Sequence, residues 1–100
     1  MKDQLQRLRS WYEVHCDGEW ELEAGIRIAT ISNPGWSLHV RLTETELEAK
    51  PFEEIRIDYD SDRDWLICRK NGDVFEGFCG PTKLEELLER FLSWAEHATR

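Results

Sequence analysis

Cys79 is the residue that sequence alone places best for covalent chemistry. It ends a predicted strand and stands just before a predicted helix start at Gly80-Pro81-Thr82. A helix N-terminus offers free N–H groups and a favourable dipole, which together can depress a thiol pKa. Single-cysteine sulfurtransferases and phosphatases hold their nucleophile in such a strand-to-helix loop. Those loops close on a basic residue that cradles an anion, whereas here only Lys83 is near and Leu84 follows. They also sit on parallel sheets, which the hairpin signals described below oppose. A thiol-dependent, sulfurtransferase-like enzyme using Cys79 is therefore the alternative reading. The simpler role for Cys79 is that of a small apolar core residue.

Two other groups of reactive side chains invite the same question. His15, Cys16 and Asp17 are adjacent, but neighbours at a helix end diverge and do not converge on one point. With no second His/Cys cluster to complete a tetrahedral site, no metal site is expected. A cationic His15 at a helix C-terminus is explanation enough. Asp58, Asp60, Asp62 and Asp64 have the alternation of a calcium loop but lack its glycine and terminal glutamate. They read as a solvated turn, or as a patch that recognises a basic protein. The three cysteines lie 52 and 11 residues apart, with no Cys-x-x-Cys pair. They read as reduced thiols of a cytoplasmic protein. No cofactor is implied.

What stands out beyond these is a pair of tryptophan-bearing turns, Cys16-Asp17-Gly18-Glu19-Trp20-Glu21 and Asn33-Pro34-Gly35-Trp36. Turn residues bring backbone to the surface, while an indole seeks burial and a partner for its N–H. Loops shaped in this way on a rigid scaffold carry recognition. Trp20 and Trp36 are expected to be partly exposed, as interface anchors often are. Asp17, Glu19, Trp20, Glu21 and Trp36 are therefore the expected contact residues, with Asp60, Asp62 and Asp64 as an addition.

The elements that must position them follow from periodicity. Leu5, Leu8, Trp11 and Tyr12 recur at helical spacing, giving an N-terminal helix that ends near His15 and is broken at Gly18. Ile26 and Ile28 alternate with Arg27 in a first strand. Trp36, Leu38, Val40 and Leu42 alternate with polar residues in a second, which forms a hairpin with it. Ile55, Ile57 and Tyr59 mark a third strand and Trp65 to Lys70 a fourth. Asn71-Gly72 then turns the chain into a fifth over Val74 to Cys79. Gly77 is a possible bulge or point of close approach. Thr82 and Glu85 fit a capping box for a C-terminal helix with an apolar stripe of Leu84, Leu87, Leu88, Phe91, Leu92 and Ala95. Thr43 to Pro51 reads as an acidic loop or single helical turn around Leu47. The expected fold is α+β: a two-layer sandwich, its five-stranded, largely antiparallel sheet covered by the two helices.

A chain of 100 residues makes one domain, residues 1–100, that buries about two-thirds of its extended surface. Its 13 Lys and Arg face 21 Asp and Glu, for a net charge of −8. That sign repels nucleic acid and anionic membranes and attracts basic proteins. Hydrophobic residues make up 40% of the chain, which excludes disorder. The polar, basic stretch Met1 to Ser10 does not resemble a signal peptide, and no run is long and apolar enough to span a bilayer.

Trp11-Tyr12 followed by Cys16-Asp17-Gly18-Glu19-Trp20-Glu21 is similar to the opening motif of immunity protein family 53. So are Gly25-Ile26-Arg27-Ile28, Asn33-Pro34-Gly35-Trp36, and Trp65-Leu66-Ile67-Cys68 with Phe75-Glu76-Gly77. The Leu84 to Trp94 helix resembles that family's ending, so the similarity spans roughly residues 5 to 96. The resemblance implies a small, non-enzymatic protein of a bacterial polymorphic toxin system, which neutralises a toxin encoded by a neighbouring gene. It names neither the toxin nor the contact residues, and the oligomeric state stays open. An interaction module for an unrelated basic partner is the third reading.

Overall fold

The computed structural model describes residues 3–23, 25–58 and 64–96. Helix α1 spans Gln4–His15 and a 3-10 turn spans Trp20–Glu23. Strands β1 Ile26–Ile31, β2 Gly35–Arg41, β3 Ile55–Asp58, β4 Trp65–Asn71 and β5 Val74–Cys79 follow, and helix α2 Leu84–Glu96 closes the order. The strands form one sheet in the order β1-β2-β5-β4-β3, with every pairing antiparallel. This is the expected α+β sandwich, with both helices on one side of the sheet.

Register explains which residues meet the helices. Ile28, Leu38, Gly77, Cys68 and Ile55 line up across all five strands on one face. Leu38, Val40, Leu66, Cys68, Phe75 and Cys79 are fully buried there, against Leu87, Leu88, Phe91 and Leu92 of α2. The Phe75 and Phe91 rings meet at 5.1 Å, and Phe52 packs edge-on against Phe75 and Trp94 at 5.2 Å. Leu47, the one large apolar residue of the acidic segment, is fully buried in the same core. Gly77 is a point of close approach and not a bulge, since its register is unbroken. A Cβ there would stand 2.5 Å from Leu87 Cδ1, so the missing side chain lets α2 sit down on β5.

Four details differ from expectation. Leu5 is 65% exposed. It borders a groove between the first turns of α1 and α2, where no third element among the described residues covers it. Ile28 is on the inner face but 38% exposed, because β1 is an edge strand and α2 lies over β2, β5 and β4. The β4–β5 loop is Gly72-Asp73, with Asn71 paired to Val74, so the turn sits one residue later than the Asn-Gly signal suggests. Helix α2 starts at Leu84, which leaves Thr82 outside the N-cap position, and the Thr82 hydroxyl donates to Asp64 at 3.0 Å. It is α1 that carries a capping box, formed by Asp3 and Gln6.

Arg7 joins the helices. Its guanidinium donates to Glu89 at 2.6 Å and to Glu96 at 2.7 Å. The Arg7 hydrogen bond, with a second from Ser93, holds the Glu89 pKa down at about 2 from an ordinary 4.5. A carboxylate depressed on folding stabilises the fold above its unfolded pKa. That contribution is complete above about pH 4.5 and is lost as pH falls toward 2. Solvent screens the pair, since the Glu89 side chain is 39% exposed. Glu89→Gln is therefore expected to cost about 1 kcal/mol near pH 7 and almost nothing near pH 2. Urea denaturation at the two pH values measures the difference.

Candidate protein-binding site

The first tryptophan turn is built from its own carboxylates. Asp17 Oδ1 accepts the backbone N–H groups of Trp20 and Glu19, each at 2.9 Å, and these bonds lower the Asp17 pKa. Glu21 reaches back and accepts from the N–H of Asp17 at 3.1 Å and of Gly18 at 2.9 Å. This reciprocal arrangement is the logic of a capping box applied to a short 3-10 turn. Gly18 has φ +94°, the left-handed conformation its position after α1 requires.

Trp20 is not the exposed anchor expected from its place beside a turn. It is 3% exposed. Its indole turns inward, donating Nε1–H to the Arg41 carbonyl at 3.1 Å and meeting the rings of Trp11 and Tyr12 at 5.7 and 5.6 Å. The turn chemistry was read correctly from sequence. What it does is aim the ring at α1 and the end of β2, where burial satisfies both the indole surface and its N–H.

The second acidic segment, Thr43 to Pro51, whose place in the fold periodicity does not reveal, meets the first. His15 lies between them: its Nδ1 faces the Trp11 carbonyl at 2.7 Å and its Nε2 faces Glu46 Oε1 at 2.7 Å. Trp11 Nε1 also donates to Glu46, at 3.4 Å. Partial burial pushes the Glu46 pKa up, but the His15 and backbone hydrogen bonds outweigh it and the net shift is downward. Glu19, Trp20, Arg41, Thr43 and Glu44 line a cleft of about 170 Å³. Glu44 has φ +67°, a conformation that costs a non-glycine residue energy. Its N–H is held by the Glu48 carboxylate at 3.0 Å. The exposed carboxylates of Asp17, Glu19, Glu44, Glu46 and Glu48 thus lie on two segments that meet at His15 and at this cleft, where Arg41 is the one cation of the lining. The signal in sequence was the run Thr43 to Pro51, which periodicity could describe but not place.

The other expected contacts lie elsewhere. Trp36 is the second residue of β2 and Arg41 ends it, so Trp36 stands about 16 Å from the Trp20 end. It is half-buried and donates Nε1–H to the Pro81 carbonyl at 3.2 Å. Asp64 is near it, accepting from Thr82 at 3.0 Å and facing Lys83 at 4.0 Å. Asp60 and Asp62 lie outside the described residues. The site expected from sequence is therefore split between the two ends of β2.

Cys79 is fully buried at the end of β5, and desolvation pushes its thiol pKa up to about 11. Cys68 beside it is raised by burial to about 12. These environments oppose thiolate chemistry near neutral pH. Cys16 alone is exposed. Alkylation of the native protein at pH 8 is expected to label Cys16 and spare Cys68 and Cys79, with all three modified in denaturant. Mass spectrometry of the labelled peptides reads this out. Among the described residues no group of three or more His, Cys, Asp or Glu is placed to hold a metal ion. Among them, too, no helix is long and apolar enough to cross a membrane.

Fold and site together define a small α+β sandwich in which two shaped segments gather carboxylates at one end. The model of one protein family, Immunity protein 53, matches residues 5–96, nearly the whole chain. The chain belongs to the immunity protein 53 family. A search of curated proteins found no match, and neither did a search of solved structures.

Proposed function

We propose that this protein neutralises a cognate toxin domain by binding it stoichiometrically and covering a basic functional surface, with no bond-making of its own, in the bacterial cytoplasm. The observation that carries this reading is the convergence of residues 17–21 and 44–48 on one carboxylate-rich end, in a member of an immunity-protein family. Toxins that act on nucleic acid are commonly basic. A net charge of −8 steers such a partner, and a fixed acidic end orients it. Asp17 and Glu21 shape the loop, while Glu19 and Glu44 flank the cleft and are the first choice for direct contacts. Trp36 and Asp64 form a second, separate contact region at the far end of β2.

The test is co-expression with the toxin encoded by the neighbouring gene. Growth rescue and co-purification support the proposal; loss of both sinks it. The double reversal Glu19→Lys/Glu44→Lys is expected to slow association about tenfold at low salt, with a smaller effect at high salt. Stopped-flow or surface-plasmon kinetics across a salt series measures this. An equal loss at every salt concentration would point to a role other than steering.

A further inference from the structure

The two edges of the sheet are unlike. Strand β3 is short, four residues long, and follows Pro51. Strand β1 is six residues long, Ile-Arg-Ile-Ala-Thr-Ile, with a single charge, and Arg27, Ile28, Ala29 and Thr30 are all exposed. A bare apolar edge of this length is what sheet proteins ordinarily blunt with charge, proline or cover.

The hydrogen-bonding phase of that edge can be read from the register. The Arg41 N–H donates to the Gly25 carbonyl at 2.8 Å, and Arg27 pairs with His39, Ala29 with Ser37 and Ile31 with Gly35. In an antiparallel ladder bonded positions alternate. Gly25, Arg27, Ala29 and Ile31 therefore turn their N–H and C=O groups toward β2. Ile26, Ile28 and Thr30 turn theirs outward.

We propose that β1 is a strand-pairing surface for a second copy of this chain, joined antiparallel about a two-fold axis at Ile28. That register sets Ile28 against its own copy and Ile26 against Thr30, so all three outward-facing residues become bonded pairs, with about six inter-chain hydrogen bonds. It lays the exposed Ile28 side chains against each other on the inner face. On the outer face it sets Arg27 beside Ala29, so the one charge on each strand does not meet its twin. Charge bears on the orientation alone, since like-charged copies repel. The acidic end of the molecule adjoins the Gly25–Arg41 end of β1. Antiparallel pairing sends the two acidic ends in opposite directions, which limits repulsion between copies of net charge −8 and leaves both ends open. The joined sheet has ten strands.

Sedimentation equilibrium of the full chain from about 5 to 500 μM tests this, with two variants. Thr30→Pro removes an outward N–H and no bond to β2, and Ile28→Lys puts a charge on each side of the axis. The wild-type chain is expected to shift from monomer to dimer mass across this range. Both variants should weaken dimerisation at least tenfold while circular dichroism and thermal unfolding of the monomer stay near wild type. A second edge-blunting readout is amide exchange, with protection of Ile26, Ile28 and Thr30 rising with concentration. A chain that stays monomeric throughout overturns the proposal. So does a dimer indifferent to both variants, an assembly larger than a dimer, or a β1 edge protected only by a different protein.

Discussion

Trp20→Ala is expected to destabilise the fold by about 3–5 kcal/mol, the cost of emptying a buried aromatic site. For a domain whose total stability is of the order of 5–15 kcal/mol, this approaches unfolding. The cost follows from where the ring sits. It is 3% exposed, between Trp11, Tyr12 and the end of β2, and its N–H satisfies the Arg41 carbonyl. Truncation leaves a cavity at the junction of α1, the 3-10 turn and β2, and removes that carbonyl's indole donor. Trp20→Phe should recover part of the packing but not the hydrogen bond, and so fall between. Urea unfolding of the three proteins decides the matter. Wild-type stability in Trp20→Ala would return this residue to the surface and restore it as a contact anchor.

Gly35→Ala is expected to cost about 3 kcal/mol, the upper end of what overpacking does. A Cβ at Gly35 would lie 2.1 Å from the Cys79 carbonyl oxygen. That atom is backbone, in the strand paired with β2, and cannot rotate aside. Relief requires β2 and β5 to part at the centre of the sheet. The same substitution at Gly77 meets side chains and no backbone, Leu87 Cδ1 at 2.5 Å and Cγ at 3.3 Å with Phe75 Cε1 at 3.4 Å, and a side chain can shift where a carbonyl cannot. Gly35→Ala should therefore be the more damaging of the two, lowering the melting temperature by about 12–24 °C. Calorimetry of the pair tests the ranking, and a milder Gly35→Ala than Gly77→Ala would contradict it.

Both residues show what could and could not be seen in the sequence. Alternation in Trp36 to Leu42 and the leucine stripe of α2 are local patterns, and they became β2 and the core face of α2. The hairpins followed from turn residues, and the antiparallel sheet followed from the hairpins. The family motifs were legible for the same reason, since each is a short run tied to one turn or strand. Trp20 was misplaced because its turn is local but its burial is not. The ring is covered by α1 and by a β2 carbonyl twenty-one residues on. Glu44 and Glu46 were missed on the same ground: nothing within Thr43 to Pro51 announces that it folds back against His15. The division of the expected contacts is a matter of length. Trp36 and the Asp17 loop are joined through β2, and a strand holds its two ends apart.

The proposed mode of action is occupation of the toxin, with nothing turned over. Titrating purified protein into a fixed concentration of the neighbouring toxin, while following the toxin's activity, tests it most directly. Occupation gives a linear fall in activity that reaches its floor at one equivalent of protein per toxin, unchanged by longer incubation. Progressive inactivation by a small fraction of an equivalent, or full activity at several equivalents, would contradict it.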